Sequence, residues 1–101
     1  MTAYVVFIKE KTHDQRELDV YASKIPASLA GLPVTVLSAY QRLEVLEGET
    51  PEGVVLVSFP TFEQATAWYH GDAYQSVIKH RHNGATYRGF VIDGESPVRS
   101  G

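Results

Sequence analysis

The sequence contains no cysteine. That removes disulfides, thiolate nucleophiles and cysteine-ligated zinc in one step, and it fits a reducing cytoplasm. No apolar stretch approaches the ~18 residues needed to cross a membrane. No run of five like charges occurs, and a formal net charge of −3 does not suit a phosphate-binding surface. Neither nucleic acid nor membrane is an expected partner, and the expected compartment is the cytoplasm. The opening segment, Met1 to Lys9, lacks a basic start and a small-residue cleavage site. It reads as a first strand rather than a signal peptide.

What remains is an ordinary globular composition, with 44% hydrophobic and 21% charged residues in a chain of 101. A chain of this length buries roughly 65% of its unfolded surface and sustains one core. Ala3 to Lys9 is an apolar, β-branched run and predicts a strand. Thr12 and Gln15 have capping-box spacing, and Leu18, Tyr21, Ala22, Ile25 and Leu29 follow at helical spacing. Pro26 is expected to kink or shorten this helix near Lys24, and Gly31 with Pro33 to end it. Val34 to Gln41 predicts a second strand that continues extended from Arg42 to Glu47. A turn over Gly48 to Gly53 then leads into a third strand, Val54 to Phe59, as a hairpin.

Thr61 and Gln64 form another capping box, opening a helix with Phe62, Ala65, Trp68 and Tyr69 at core spacing. Gly71 interrupts it, and Asp72 reads as a fresh N-cap for a second helical piece carrying Tyr74, Val77, Ile78 and Arg81 on one face. Thr86 to Asp93 predicts the last strand. The order is β-α-β-β-α-β, the ferredoxin-like pattern of an α+β domain with an antiparallel sheet and helices on one face. Residues 1–93 form the expected single domain, and residues 94–101 an expected loosely ordered tail.

Helices on one face leave the other to water, and a wetted face should alternate to polar. Tyr4 to Ile8 and Val54 to Val57 are instead apolar on both parities. Such a patch is rare on a soluble monomer. A second copy, sheet against sheet about a two-fold axis, is the expected partner.

Leu46-Glu47-Gly48, Phe59-Pro60, Ala67-Trp68-Tyr69, Tyr74-Gln75, Arg81, Tyr4 and Tyr21 together resemble domain-of-unknown-function family 1330, within the dimeric α/β-barrel superfamily. The resemblance spans Ala3 to about Asp93. It implies a ferredoxin-like fold and a face-to-face dimer. The superfamily resemblance further suggests oxygenase or isomerase chemistry without a cofactor. Pro26 and the segment Gly31-Leu32-Pro33 depart from the family pattern, at one edge of any pocket beside the first helix.

The densest polar cluster is His70 with His80-Arg81-His82. His80 and His82 lie about 200° apart on an ideal helix, so one metal cannot take both unless the helix has already ended, and no metal is expected. Helix-end histidines near the negative end of the dipole are the plainer account. Arg81 has its stem on the core face. Its head has three candidate roles: holding a ligand carboxylate, pairing with Glu47, or capping carbonyls at the helix end. Trp68, Tyr69 and Tyr74 surround the helix break, either as core or as the lining of a small cleft. Tyr40, Arg42 and Glu44 are candidates for a pocket mouth, or a solvated strand surface.

Two functions are carried forward. In one, a cofactor-independent enzyme acts on a small organic molecule, with Arg81 anchoring an anionic group and His80 or a tyrosine moving a proton. In the other, the same cleft belongs to a non-catalytic ligand-binding or stress-response dimer. The ligand-binding candidates are Trp68, Tyr69, Tyr74 and Arg81 in both.

Overall fold

The structure, a computed structural model, describes residues 2–94. Four strands and three helices follow in the order β1 (Ala3–Thr12), α1 (Gln15–Leu29), β2 (Thr35–Ala39), β3 (Gly53–Phe59), α2 (Phe62–His70), α3 (Asp72–Gly84) and β4 (Ala85–Asp93). Most of the tail expected over 94–101 lies outside the described residues.

The strands form one open sheet in the order β2-β3-β1-β4, and every pair is antiparallel. β1 and β2 are therefore parallel with β3 between them, and β3 and β4 are parallel with β1 between them. That is the split βαβ arrangement, and it produces the expected ferredoxin-like α+β fold. Val5 pairs with Val57 on one side and Val91 on the other, and Phe7 with Val55 and Gly89. These positions face the helices, and Val5, Phe7, Val57 and Phe59 are buried beneath them.

The alternate positions carry Tyr4, Val6 and Ile8 on β1, with Leu56 on β3 and Phe90 and Ile92 on β4 in register beside them. Phe90 is 44% exposed and Ile92 46%. The second face is apolar, as the double parity of these strands predicts.

Local chemistry explains most of the helix ends. The Thr61 side chain accepts from the Gln64 N–H at 3.0 Å, which is the expected cap of α2. The helical region breaks at Gly71, as expected, but Gly71 itself is the N-cap of α3, and Asp72 is its first helical residue. The cap expected at Thr12 is corrected. β1 runs on to Thr12, whose hydroxyl donates to Glu52 at 2.6 Å, and Asp14 caps α1 by accepting from the Arg16 N–H at 3.0 Å. Strand pairing of Thr12 with Ala85 draws the threonine out of the helix start.

Pro26 does not shorten α1, which continues to Leu29. It stands in the last turns, where a missing N–H costs one hydrogen bond at the Ala22 carbonyl. The extended run expected from Arg42 to Glu47 is also corrected. β2 ends at Ala39, and Tyr40 turns the chain away at φ 56°. β3 begins at Gly53, close to the point where Ala39 pairs with Val55 and the Tyr40 N–H reaches the Val54 carbonyl, so the residues that follow run past the start of β3 and have no strand opposite them.

Candidate functional site

α1 packs on α3 and stands off the sheet. The start of α1 is tied to the end of α3 through the Gly84 carbonyl, which accepts from the His13 N–H at 2.7 Å and the Asp14 N–H at 3.0 Å. Two cavities open between helices and sheet, and both have Phe7 and Tyr87 in their walls. The smaller, 260 Å³, lies toward β4, and Tyr69, Arg81 and Gly89 also line it. The larger, 380 Å³, lies beneath α1 and is lined by Tyr21, Ile25, Val57 and Trp68 among others.

Arg81 is the unusual group. It is 6% exposed, yet it forms no ion pair among the described residues. Its guanidinium lies 4.8 Å from the Phe7 ring centre and 5.0 Å from that of Tyr87. Its Nη2 lies 3.4 Å from His82 Nε2. Among the described residues its Nε and Nη1 find no hydrogen-bond partner, although both are buried. The pairing with Glu47 considered from sequence is not formed. A cation so placed is held by ring faces and keeps donors for a further acceptor.

The four residues singled out around the helix break do come together, but in different roles. Tyr74 is fully buried and fills the core. Its hydroxyl shares a 2.7 Å hydrogen bond with that of Tyr21, and the Trp68 ring centre lies 4.3 Å from its own. Trp68 walls the larger cavity and donates through Nε1 to Ser28 Oγ at 3.3 Å. Tyr69 stands with Arg81 at the smaller cavity. His80 lies apart from both cavities, with Nδ1 2.9 Å from Glu17 Oε1, an ion pair between α3 and α1 when the ring is protonated. His70 is exposed at the end of α2. Among the described residues no group of three metal-ligating side chains occurs.

Sequence reasoning did not place Phe7, Tyr21 or Tyr87 in the site. Phe7 and Tyr87 lie on neighbouring strands far apart along the chain, and only the β1–β4 pairing brings them under Arg81. A usable signal was Gly89 inside a strand, which marks a close approach. A Cβ there would fall 2.7 Å from the Phe7 ring.

The hydroxyls of Tyr40 and Tyr87 also share a hydrogen bond. Burial pushes the Tyr87 phenol upward, and the bond to Tyr40 adds to it. Burial also raises Tyr21, with Tyr74 adding to the shift. Tyr74 is raised by burial, against the opposing effect of its bond to Tyr21. These phenols therefore stay protonated at neutral pH and act as hydrogen-bonding groups rather than bases.

An open antiparallel sheet with helices on one face defines a ferredoxin-like α+β protein. The family model of the domain of unknown function DUF1330 matches residues 2–95, and the chain belongs to that family. A protein of unknown function from Rhodopseudomonas palustris is similar in structure, with TM-score 0.74 and 14% identity over 95% of this chain and 84% of that one. A dimeric protein of unknown function and ferredoxin-like fold from Bacteroides fragilis has TM-score 0.56 and 13% identity, over 91% of this chain and 95% of that one. SnoaB, a cofactor-independent oxygenase from Streptomyces nogalater, has TM-score 0.55 and 9% identity, over 96% and 95% of the two chains. At such identities the likeness is one of fold. No curated protein matches the sequence.

Proposed function

We propose that the protein is a homodimer that binds a small, partly apolar organic acid in each protomer, with Arg81 taking the anionic group. The observation that carries this reading is the buried Arg81 guanidinium with two unpartnered donors on a cavity wall. A buried cation without a counter-charge is costly, and a bound carboxylate supplies one. Phe7, Tyr69 and Tyr87 offer ring surface to the apolar part of the ligand. The cavity volume of 260 Å³ equals about nine waters' worth of space, which suits an acid the size of benzoate. Trp68 and Tyr74 support that wall from behind.

The dimer rests on the second sheet face, where Val6, Ile8, Leu56, Phe90 and Ile92 form an apolar surface. The dimeric Bacteroides fragilis protein of the same fold supports it. The chemistry we attach to the site is cofactor-independent, of the oxygenase or isomerase kind, and the shared fold of SnoaB supports it. Binding without turnover is the second reading. It is favoured by the engagement of His80 with Glu17 and by the buried, protonated state of Tyr21 and Tyr87.

A thermal-shift panel of aromatic and hydroxy acids tests the site. Stabilisation by at least one acid, and not by its amide, is expected. No stabilisation by any of them would overturn the Arg81 reading. Oxygen uptake or isomerised product with the acid so found separates the enzyme from the receptor.

A further inference from the structure

The larger cavity, beneath α1, is walled mostly by apolar groups, with Leu18, Ile25, Val57 and Trp68 among them. Most of its polar groups are engaged with one another or with water. Gln15 and Asp19 are exposed, one turn apart on α1, and Gln15 donates to Asp19 at 3.0 Å. Lys9 lies 3.8 Å from Glu52. The phenols of Tyr21, Tyr40 and Tyr87 remain, and counting their protons separates them.

Two phenols joined by one hydrogen bond hold two protons, and the bond uses only one. For Tyr21 and Tyr74, burial sets the direction. Tyr74 is fully buried, and among the described residues its hydroxyl bonds to Tyr21 alone. If Tyr21 donated, the Tyr74 proton would be buried without an acceptor, which is costly. Tyr74 therefore donates and the Tyr21 oxygen accepts. The Tyr21 proton is left over, because among the described residues its hydroxyl bonds to no second acceptor. Tyr21 is only partly buried, and it lines the cavity beneath α1. Its donor is free for whatever fills that space, water or ligand. The same count in the other pair ends in solvent. Tyr87 donates to Tyr40, and Tyr40, 49% exposed, donates to water.

We infer that the cavity beneath α1 is a second ligand site, for a neutral apolar ring compound carrying a carbonyl, with the Tyr21 hydroxyl donating to the carbonyl oxygen. Tyr74 is the positioning residue that fixes the direction of this donor. The apolar walls and the Asp19 carboxylate disfavour an anionic acceptor, so the carbonyl belongs to a ketone rather than to an acid. The volume of 380 Å³, about a dozen waters' worth, accommodates two fused rings. Arg81 lines the other cavity, so the two sites take different chemistry.

Titration of the full chain with 2-acetonaphthone and with 2-isopropenylnaphthalene tests it. The two probes share their shape, and only the ketone accepts a hydrogen bond. Trp68, the single tryptophan of the chain, lines the cavity, so its emission reports binding of either. The wild-type protein is expected to bind the ketone about fivefold more tightly, the worth of one neutral hydrogen bond. Tyr21→Phe keeps the ring and removes the donor, so both probes should bind alike. Tyr74→Phe leaves the Tyr21 donor in place, and the preference should persist. Ala39 pairs with Val55 on the sheet floor of the cavity. Ala39→Phe should fill that floor and weaken both probes about tenfold or more. Equal affinities in the wild-type protein, failure of both probes to bind, a preference that survives Tyr21→Phe, one lost in Tyr74→Phe, or undiminished binding to Ala39→Phe would each overturn the inference. Benzoate binding, the test of the Arg81 pocket, is read separately, so the failure of one site does not carry the other.

Discussion

Replacing Arg81 with methionine should make the free protein more stable. The guanidinium is 6% exposed and forms no ion pair among the described residues. Its compensation is the pair of ring faces at 4.8 and 5.0 Å. Each contact contributes about 0.5–2 kcal/mol, whereas burying an ion costs several kcal/mol. Methionine keeps an unbranched stem against Phe7 and Tyr87 and removes the charge. Apolar replacements of buried ionic groups commonly stabilise by about 1–4 kcal/mol, and a value near 2 kcal/mol fits the partial compensation here. For a domain of this length that is a rise in Tm of roughly 8–16 °C. The assay is urea and thermal unfolding at fixed protein concentration, because the proposed dimer would make both concentration-dependent. Benzoate should then stabilise the wild-type protein and leave Arg81→Met unmoved. A variant less stable than wild type in the absence of ligand would show instead that the protein itself satisfies the guanidinium.

Ile92→Asp places a charge on the apolar sheet face at a position already 46% exposed in the protomer. It should weaken the proposed dimer at least tenfold in sedimentation while circular dichroism stays native, and an unchanged dimer would remove that face as the interface. Tyr21 and Tyr87 are raised by burial, so the folded state holds their protons beyond the point where the unfolded chain releases them. Stability should be complete below about pH 10 and fall above it by about 1.4 kcal/mol per pH unit for Tyr21, and by less for the half-exposed Tyr87, where solvent screens the effect. Tyr21→Phe should reduce that slope, and an equal slope in the two proteins would count against the shift. Gly89→Ala would bring a Cβ to 2.7 Å from Phe7, so the ring must move. A loss of about 1–3 kcal/mol and weaker benzoate binding are expected, and calorimetry with urea unfolding reads both.

Much of the fold was legible because its signals are local. Thr61 with Gln64 and the break at Gly71 depend on neighbours within a turn. The double apolar parity of β1 and β3 is likewise visible residue by residue. The misreadings came where distant pairing overrode local pattern. Thr12 has the spacing of a cap, but Ala85, far along the chain, pulls it into the sheet. Arg42 to Glu47 alternates like a strand, but β3 starts only at Gly53, so the segment has no strand opposite it. For the site, the face shared by Tyr74, Val77, Ile78 and Arg81 correctly put the arginine stem against the core. Its lack of a carboxylate was not legible, because that depends on which charges from other elements approach it. Phe7 and Tyr87 were invisible for the same reason, since they reach Arg81 from separate strands.

Arg81 binds a carboxylate in the proposed function. The most direct measurement of that binding is a calorimetric titration of the wild-type protein with benzoate and with benzamide, matched in shape and differing in charge. Benzoate is expected to bind, benzamide to bind at least tenfold more weakly, and Arg81→Met to abolish the difference. Equal binding of the two, or no binding of benzoate together with any other small carboxylate tried, would contradict it.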